Sequence, residues 1–246
     1  RRVLASKKII NDYRTEKLDN NLGYKIKSPF SIKEISPVVS LAKKILEEHM
    51  PYIESKDESH SEKYRKPGNP FYVLPITKGN TKIALDSPFF KLALNPSILA
   101  LVSDYMGIFP IISKINLWHS PNDIQVAGTS QEFHLDHADI RQVKLFIPIN
   151  DIDEDSGPLL ILNSLNSNIL SSKIGYRLDG ASKRVNDDLI KDILDSNSIL
   201  PMIGKTGSAI FVDTSRCFHA GSREAKKPRD ILMIQYLSPF AFHYPI

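Results

Sequence analysis

A chain of 246 residues is long enough to bury a substantial core, and it fits one large domain. With 24% charged and 41% hydrophobic residues it has the balance of a soluble globular protein, which excludes extensive disorder. The net charge of +4 is a weak excess without a basic stripe of interleaved aromatics, and no apolar run reaches the roughly 18 residues of a membrane span. Neither nucleic acid nor a membrane is therefore expected as a partner.

From Ser36, with Ser36 as N-cap and Pro37 in the first turn, residues Val38, Leu41, Ala42, Ile45 and His49 fall at helical spacing, which predicts an amphipathic helix. The stretch from Glu54 to Gly68 is polar and aperiodic and reads as a solvated loop. Two further helices are expected, one opening at Ser87-Pro88 and one at Asn95-Pro96 that stops at Gly107. After Gly107 the texture changes. Phe109 to Trp118, Val143 to Ile149, Leu159 to Leu162, Ser208 to Asp213 and Ile231 to Leu237 are short runs rich in Ile, Val and Phe, separated by Gly, Pro, Asn and Asp, and they read as strands. A short helix is expected from Asn186 to Ser196. Helices first and strands afterwards, without alternating βαβ units, predict a mainly β fold with helical support (α+β). The expected architecture is one domain over residues 1–246, with a helical layer over 1–107 packed on a jelly roll, a double-stranded β-helix, over 108–246.

Three of the seven histidines sit among polar groups in the β half: His134, His137 and His219. In an extended segment His134 and Asp136 project from one face, because side chains alternate with period two, so an imidazole nitrogen and a carboxylate oxygen can reach one metal ion. The same spacing recurs in His137-Ala138-Asp139, and spacing alone leaves both triplets open. A third ligand must come from elsewhere, and His219, just beyond the strand ending at Asp213, is the candidate. Two histidines and one carboxylate on one face of an octahedron leave positions open for a bidentate 2-oxoacid and then O₂, the arrangement of a non-haem iron. Arg229 follows before a hydrophobic strand, where its planar fork of donors could grip the distal carboxylate of 2-oxoglutarate bidentately. Against that stands a plain alternative, since Arg223, Lys226 and Lys227 mark a charged surface turn to which Arg229 could equally belong.

The segment from Phe133 to Leu159, a His-x-Asp followed by a strand and an acidic turn ending in Gly157-Pro158, resembles the phytanoyl-CoA dioxygenase family of iron and 2-oxoglutarate oxygenases. A second likeness runs from Gly207 to Arg223 and on to Arg229. The resemblance implies a jelly roll in which His134, Asp136 and His219 hold Fe(II), with 2-oxoglutarate and O₂ as co-substrates. It selects the first triplet, makes His137 and Asp139 neighbours of the site, and raises Arg229 to the anchor of 2-oxoglutarate. Asn116, in the strand ending at Trp118, is implied as a further co-substrate contact. One departure is plain: many members carry Pro-Gly-Ser-His where this chain has Leu162-Asn163-Ser164-Leu165, which alters the turn at the pocket mouth.

What the resemblance implies is hydroxylation of an unidentified small molecule with release of succinate and CO₂. Halogenating relatives replace the carboxylate with a small residue, so Asp136 disfavours that outcome. Desaturation, epimerisation and a catalytically inactive jelly-roll binding module remain as alternatives. The 163–200 segment and the 54–68 loop are expected to form lids and to carry specificity. The single cysteine, Cys217, excludes an intrachain disulfide and a cysteine-based zinc site and suits a reducing, cytoplasmic compartment. The chain opens Arg1-Arg2 without a Met, which leaves room for a removed targeting segment upstream.

Overall fold

A computed structural model describes residues 1–14, 16–54, 71–76, 85–121, 130–176, 184–221, 223 and 225–242. The loop expected from Glu54 to Gly68 lies, after Glu54, outside the described residues. Among the described residues no helix is long and apolar enough to cross a membrane.

The first half supplies α1 (Arg2–Tyr13), β1 (Tyr24–Lys27), α2 (Ile35–Glu54), β2 (Tyr72–Leu74), α3 (Pro88–Ala93) and α4 (Pro96–Met106). Both proline-led helices form where the sequence places them. In α4 the Asn95 side chain accepts from Ser97 and Ile98 amides, and Gly107 ends the helix in the left-handed region at φ 74°. The helix expected from Ser36 begins at Ile35, led in by a turn from Ile35 N to Ile32 O, so Ser36 lies inside it rather than capping it. It also continues past Met50 through Pro51, whose missing N–H falls in the last turn.

The second half supplies β3 (Ile111–Ser120), β4 (Val143–Pro148), β5 (Leu160–Leu162), α5 (Ser164–Ile174), α6 (Asp187–Ile193), β6 (Ile199–Pro201), β7 (Ala209–Asp213), β8 (His219–Ala220) and β9 (Arg229–Leu237). They build an antiparallel six-stranded sheet in the order β1-β7-β4-β9-β3-β2 and a three-stranded sheet in the order β6-β5-β8. Backbone bridges from Phe133 to Val185 and from His134 to His219 extend the smaller sheet.

Alternation along each strand sorts the side chains into three layers. Val143, Leu145, Ile147, Leu232, Ile234 and Tyr236 leave the outer face of the large sheet to pack under α2, α3 and α4. Phe146, Ile210, Ile231 and Met233 leave its inner face and meet Ile161, Met202 and Cys217 from the other side. Behind the small sheet Phe133, Leu135, Leu162 and Phe218 pack with Leu170 and Ile190, the buried apolar residues of α5 and α6. Each strand thus contributes alternate residues to a helix-backed core and to the space between the sheets. That inner space also holds a cluster of polar residues.

Candidate metal centre

His134 and His219 are opposite one another across a backbone bridge, each amide donating to the other's carbonyl at 3.0 Å. Leu135 points outward into the apolar cluster behind the small sheet, so His134 and Asp136 both point inward. Ligand atoms of His134, Asp136 and His219 all lie within 4.8 Å of one another. His219 Nε2 is 3.6 Å from Asp136 Oδ2, and His134 Nε2 is 4.0 Å from Oδ1.

Both imidazoles are oriented from behind. His134 Nδ1 meets the Glu132 carbonyl at 2.9 Å and His219 Nδ1 meets the Cys217 carbonyl at 3.1 Å. A carbonyl can only accept, so each Nδ1 carries the proton and each Nε2 presents a lone pair toward Asp136. Burial pushes His134 down to about 3, helped by the neighbouring His219 and opposed by Asp136. His219 is likewise lowered by burial. Both rings are thus neutral, as metal ligation requires. Burial acts to raise the Asp136 carboxyl, but the Lys144 ammonium, by its charge and its hydrogen bond, works against it, and the group is held well below the usual carboxylate range. Two neutral imidazoles and an ionised carboxylate converging on one point fit a first-row divalent metal with open positions.

Several residues that build this site are silent in the sequence. Asp136 Oδ2 accepts from Lys144 Nζ at 2.6 Å and from Gln142 Nε2 at 2.8 Å. The Gln142 amide also donates to Thr214 Oγ1 at 2.7 Å and accepts from Gln235 Nε2 at 3.0 Å, which locks it between β7, β4 and β9. Nothing in the spacing of a single Lys in a hydrophobic strand distinguishes it from a solvent-facing one; only the inward phase of β4, shared with Phe146, marks Lys144.

A cavity of about 230 Å³ opens beside the triad and is lined by His134, Asp136, His219, Lys144 and Arg229 together with Phe71, Trp118, Phe146, Leu159 and Ile231. Arg229 is 6% exposed. Its NH1 donates to the Gly157 carbonyl at 2.8 Å, while its Nε is buried without a partner among the described residues. Burial lowers its guanidinium to about 10. The charged-turn alternative for Arg229 therefore fails on geometry. Arg223 pairs with Asp187, Lys226 with Asp155 and Lys227 with Asp153, whereas Arg229 starts β9 and points into the cavity. The Lys226 and Lys227 pairs fasten the acidic turn to the strand entry, and Gly157, in the left-handed region at φ 59°, follows that turn and meets the guanidinium.

The remaining sequence candidates take other places. Asn116 is half-buried in β3 opposite Met233 and is not among the residues lining the cavity. His137 Nε2 faces the Tyr176 hydroxyl at 3.4 Å, and Asp139 accepts from the Ser238 and Ile140 amides, so both brace the segment that carries the ligands. No described residue of the 163–200 segment lines the cavity. Asn163, which the departure from the family pattern placed at a pocket-mouth turn, caps α5 through the Asn166 amide, and α5 packs behind the small sheet. The described helices of that segment, α5 and α6, support the ligand strands from outside.

Two antiparallel sheets enclosing a two-histidine, one-carboxylate cluster, with helices on the outer face, form a cupin-like jelly roll. The epimerase SnoN, in a crystal structure with Fe3+, α-ketoglutarate and nogalamycin RO, is similar over 98% of this chain and 87% of its own, at 15% identity and a TM-score of 0.58. EctD from S. alaskensis matches 92% of this chain and 79% of its own at 15% identity and a TM-score of 0.57. HygX from Streptomyces hygroscopicus, solved with nickel, 2-oxoglutarate and hygromycin B, matches 89% and 84% at 14% identity and a TM-score of 0.51. No protein-family model and no curated protein sequence matches the chain. The likeness to these proteins is therefore one of fold, and membership of the phytanoyl-CoA dioxygenase family is not shown.

Proposed function

We propose that this chain is an Fe(II)- and 2-oxoglutarate-dependent oxygenase that hydroxylates a small molecule. The observation that carries the reading is the pair of carbonyl-locked imidazoles facing one carboxylate in a cavity that also holds a buried, incompletely paired guanidinium. In this reading His134 Nε2, Asp136 and His219 Nε2 hold the metal, and Arg229 binds the distal carboxylate of 2-oxoglutarate. Gln142 and Lys144 both hold Asp136 through Oδ2, the oxygen nearest His219 Nε2, and leave Oδ1 on the side of His134 Nε2. Asn116 is assigned the lesser part of a co-substrate contact reached along β3. Phe71, Phe146, Leu159 and Ile231 exclude water from the reacting centre and present an apolar wall to the substrate. The bound metal would supply the chemistry that converts O₂ and 2-oxoglutarate to succinate and CO₂ while a substrate C–H bond is hydroxylated. Asp136 supports hydroxylation over halogenation, because its side chain occupies the position a halide would need.

The test is an anaerobic titration of the protein with Fe(II) and 2-oxoglutarate, followed by succinate release in air across a panel of metabolites. A weak charge-transfer band in the visible and substrate-stimulated succinate are expected from the wild type, and Asp136→Ala should lose both. Full turnover in Asp136→Ala would remove the ligand assignment, and the absence of any band in the wild type would favour a binding module. Product mass distinguishes hydroxylation from desaturation and epimerisation.

A further inference from the structure

The cavity contains a second buried donor that neither the metal ligands nor the Arg229 anchor employs. Trp118 sits on the inner face of β3, and its Nε1 is buried without a hydrogen-bond partner among the described residues. An indole N–H is only a donor, and leaving one unsatisfied in a folded interior is unfavourable, so such an atom marks a place where a ligand acceptor belongs. The ring is not loose. Phe71 lies 4.8 Å from it between centroids and Phe146 lies 6.4 Å away, so its plane is held between two aromatic neighbours.

Strand pairing fixes what stands beside it. Trp118 is opposite Ile231 across β3 and β9, and Ser120 is opposite Arg229. Arg229 is therefore the diagonal neighbour of Trp118 on the same face, about 7–8 Å away between backbones and within reach of two long side chains. Both side chains line one cavity, and each carries a buried N–H with no partner among the described residues: Nε1 of Trp118 and Nε of Arg229. Two orphaned donors from adjacent strands, one on a cation, are complementary to the two oxygens of a carboxylate.

We propose that Trp118 and Arg229 together form the carboxylate clamp of this cavity, with the Trp118 indole N–H donating to one oxygen of the distal carboxylate of 2-oxoglutarate while Arg229 holds the other. The proposal rests on the co-substrate reading of Arg229 and adds a binding residue to it. It makes Trp118 a determinant of co-substrate choice, since a 2-oxoacid without the distal carboxylate leaves both donors unsatisfied.

Trp118 is the only tryptophan in the chain, so its emission reports this site alone. The experiment uses the full chain loaded anaerobically with Fe(II) and titrated with 2-oxoglutarate or with 2-oxopentanoate, which keeps the 2-oxoacid end and lacks the distal carboxylate. Wild-type emission should change with 2-oxoglutarate and change much less with 2-oxopentanoate. Calorimetry on Trp118→Phe, which keeps the aromatic stack and deletes the N–H, should give affinity for 2-oxoglutarate about tenfold weaker, the worth of one hydrogen bond to a charged group. Affinity for 2-oxopentanoate should be unchanged. Equal weakening for both ligands would make Trp118 a packing residue and overturn the clamp, as would unaltered 2-oxoglutarate affinity. If the wild type binds 2-oxoglutarate and Arg229→Met loses it while Trp118→Phe does not, only the clamp fails. If the wild type binds no 2-oxoglutarate at all, the co-substrate reading falls with it.

Discussion

Lys144 neutralises Asp136 from one side while two imidazole Nε2 atoms face the carboxylate from the other. A divalent ion arriving at the imidazoles would take over that compensation and be repelled by the ammonium. Lys144→Met should therefore destabilise the chelator-treated protein, which keeps a half-buried carboxylate without its cation, more than the metal-loaded protein. Scanning calorimetry should show the gap in Tm between the two forms widen by about 3 °C or more. An unchanged gap would mean that the ion pair has no bearing on metal binding. The same residue marks the limit of what could be read from the sequence. His134, Asp136 and His219 were legible because ligand chemistry needs those side chains and period two puts the first two on one face. Lys144, Gln142 and Trp118 were not, because their meaning comes from which face of a strand they occupy opposite a distant loop.

At the scale of elements, the legible strands are those with both faces buried. Each residue of β7 is buried, as are all but one of β4 and of β9, and such strands appear in sequence as continuous Ile, Val, Leu and Phe. β1, a four-residue edge strand reading Tyr-Lys-Ile-Lys, and β8, only two residues long, give no such run. The helix α5 escaped for another reason. It is rich in Ser and Asn, and two of its three buried residues are Ser164 and Ser167, so it lacks an apolar stripe. Ser167 joins two strands of the small sheet through one hydroxyl, since its Oγ accepts from the Phe218 amide at 2.9 Å and donates to the Leu162 carbonyl at 3.2 Å. Ser167→Ala would orphan a buried amide next to His219. A loss of about 1–3 kcal/mol in urea unfolding, with the m-value unchanged, is expected together with weaker metal affinity. Intact metal affinity in that variant would show that α5 does not steady the ligand strand.

Over the whole molecule, the helical layer and the jelly roll were both anticipated, and a buried polar contact ties one to the other. Tyr105 of α4 donates to Asp213 Oδ2 at the end of β7 at 2.7 Å, and Arg216 NH1 reaches the same hydroxyl at 3.2 Å. Burial raises the Asp213 carboxyl to about 6, against the lowering effects of the Tyr105 hydrogen bond and of Arg216. A carboxyl whose folded value exceeds its unfolded one binds more protons when folded. Its stabilising contribution is complete below about 4, the unfolded range, and is lost as pH rises through about 6. Asp213→Asn removes that titration, so the stability of the variant relative to wild type should rise between pH 4 and pH 7 in urea titrations. A flat difference would place Asp213 at an ordinary carboxylate value. Long-range packing also decided between the two consecutive triplets. The His-x-Asp spacing of residues 137 and 139 matched a ligand pair, and contacts with Tyr176 and the Ser238 amide gave them a bracing role.

The chain has one cysteine, and it is buried, so no covalent bond links distant parts of the fold. The triad joins a segment at residues 134–136 to β8 at residue 219 across a span of sequence comparable to the loops that structural disulfides close. An ion held there would act as a reversible cross-link, stitching the outermost strand of the small sheet to the stretch that precedes β4. Metal supply would then govern the persistence of the protein as well as its turnover, with chelation loosening that sheet edge ahead of the helix-backed core.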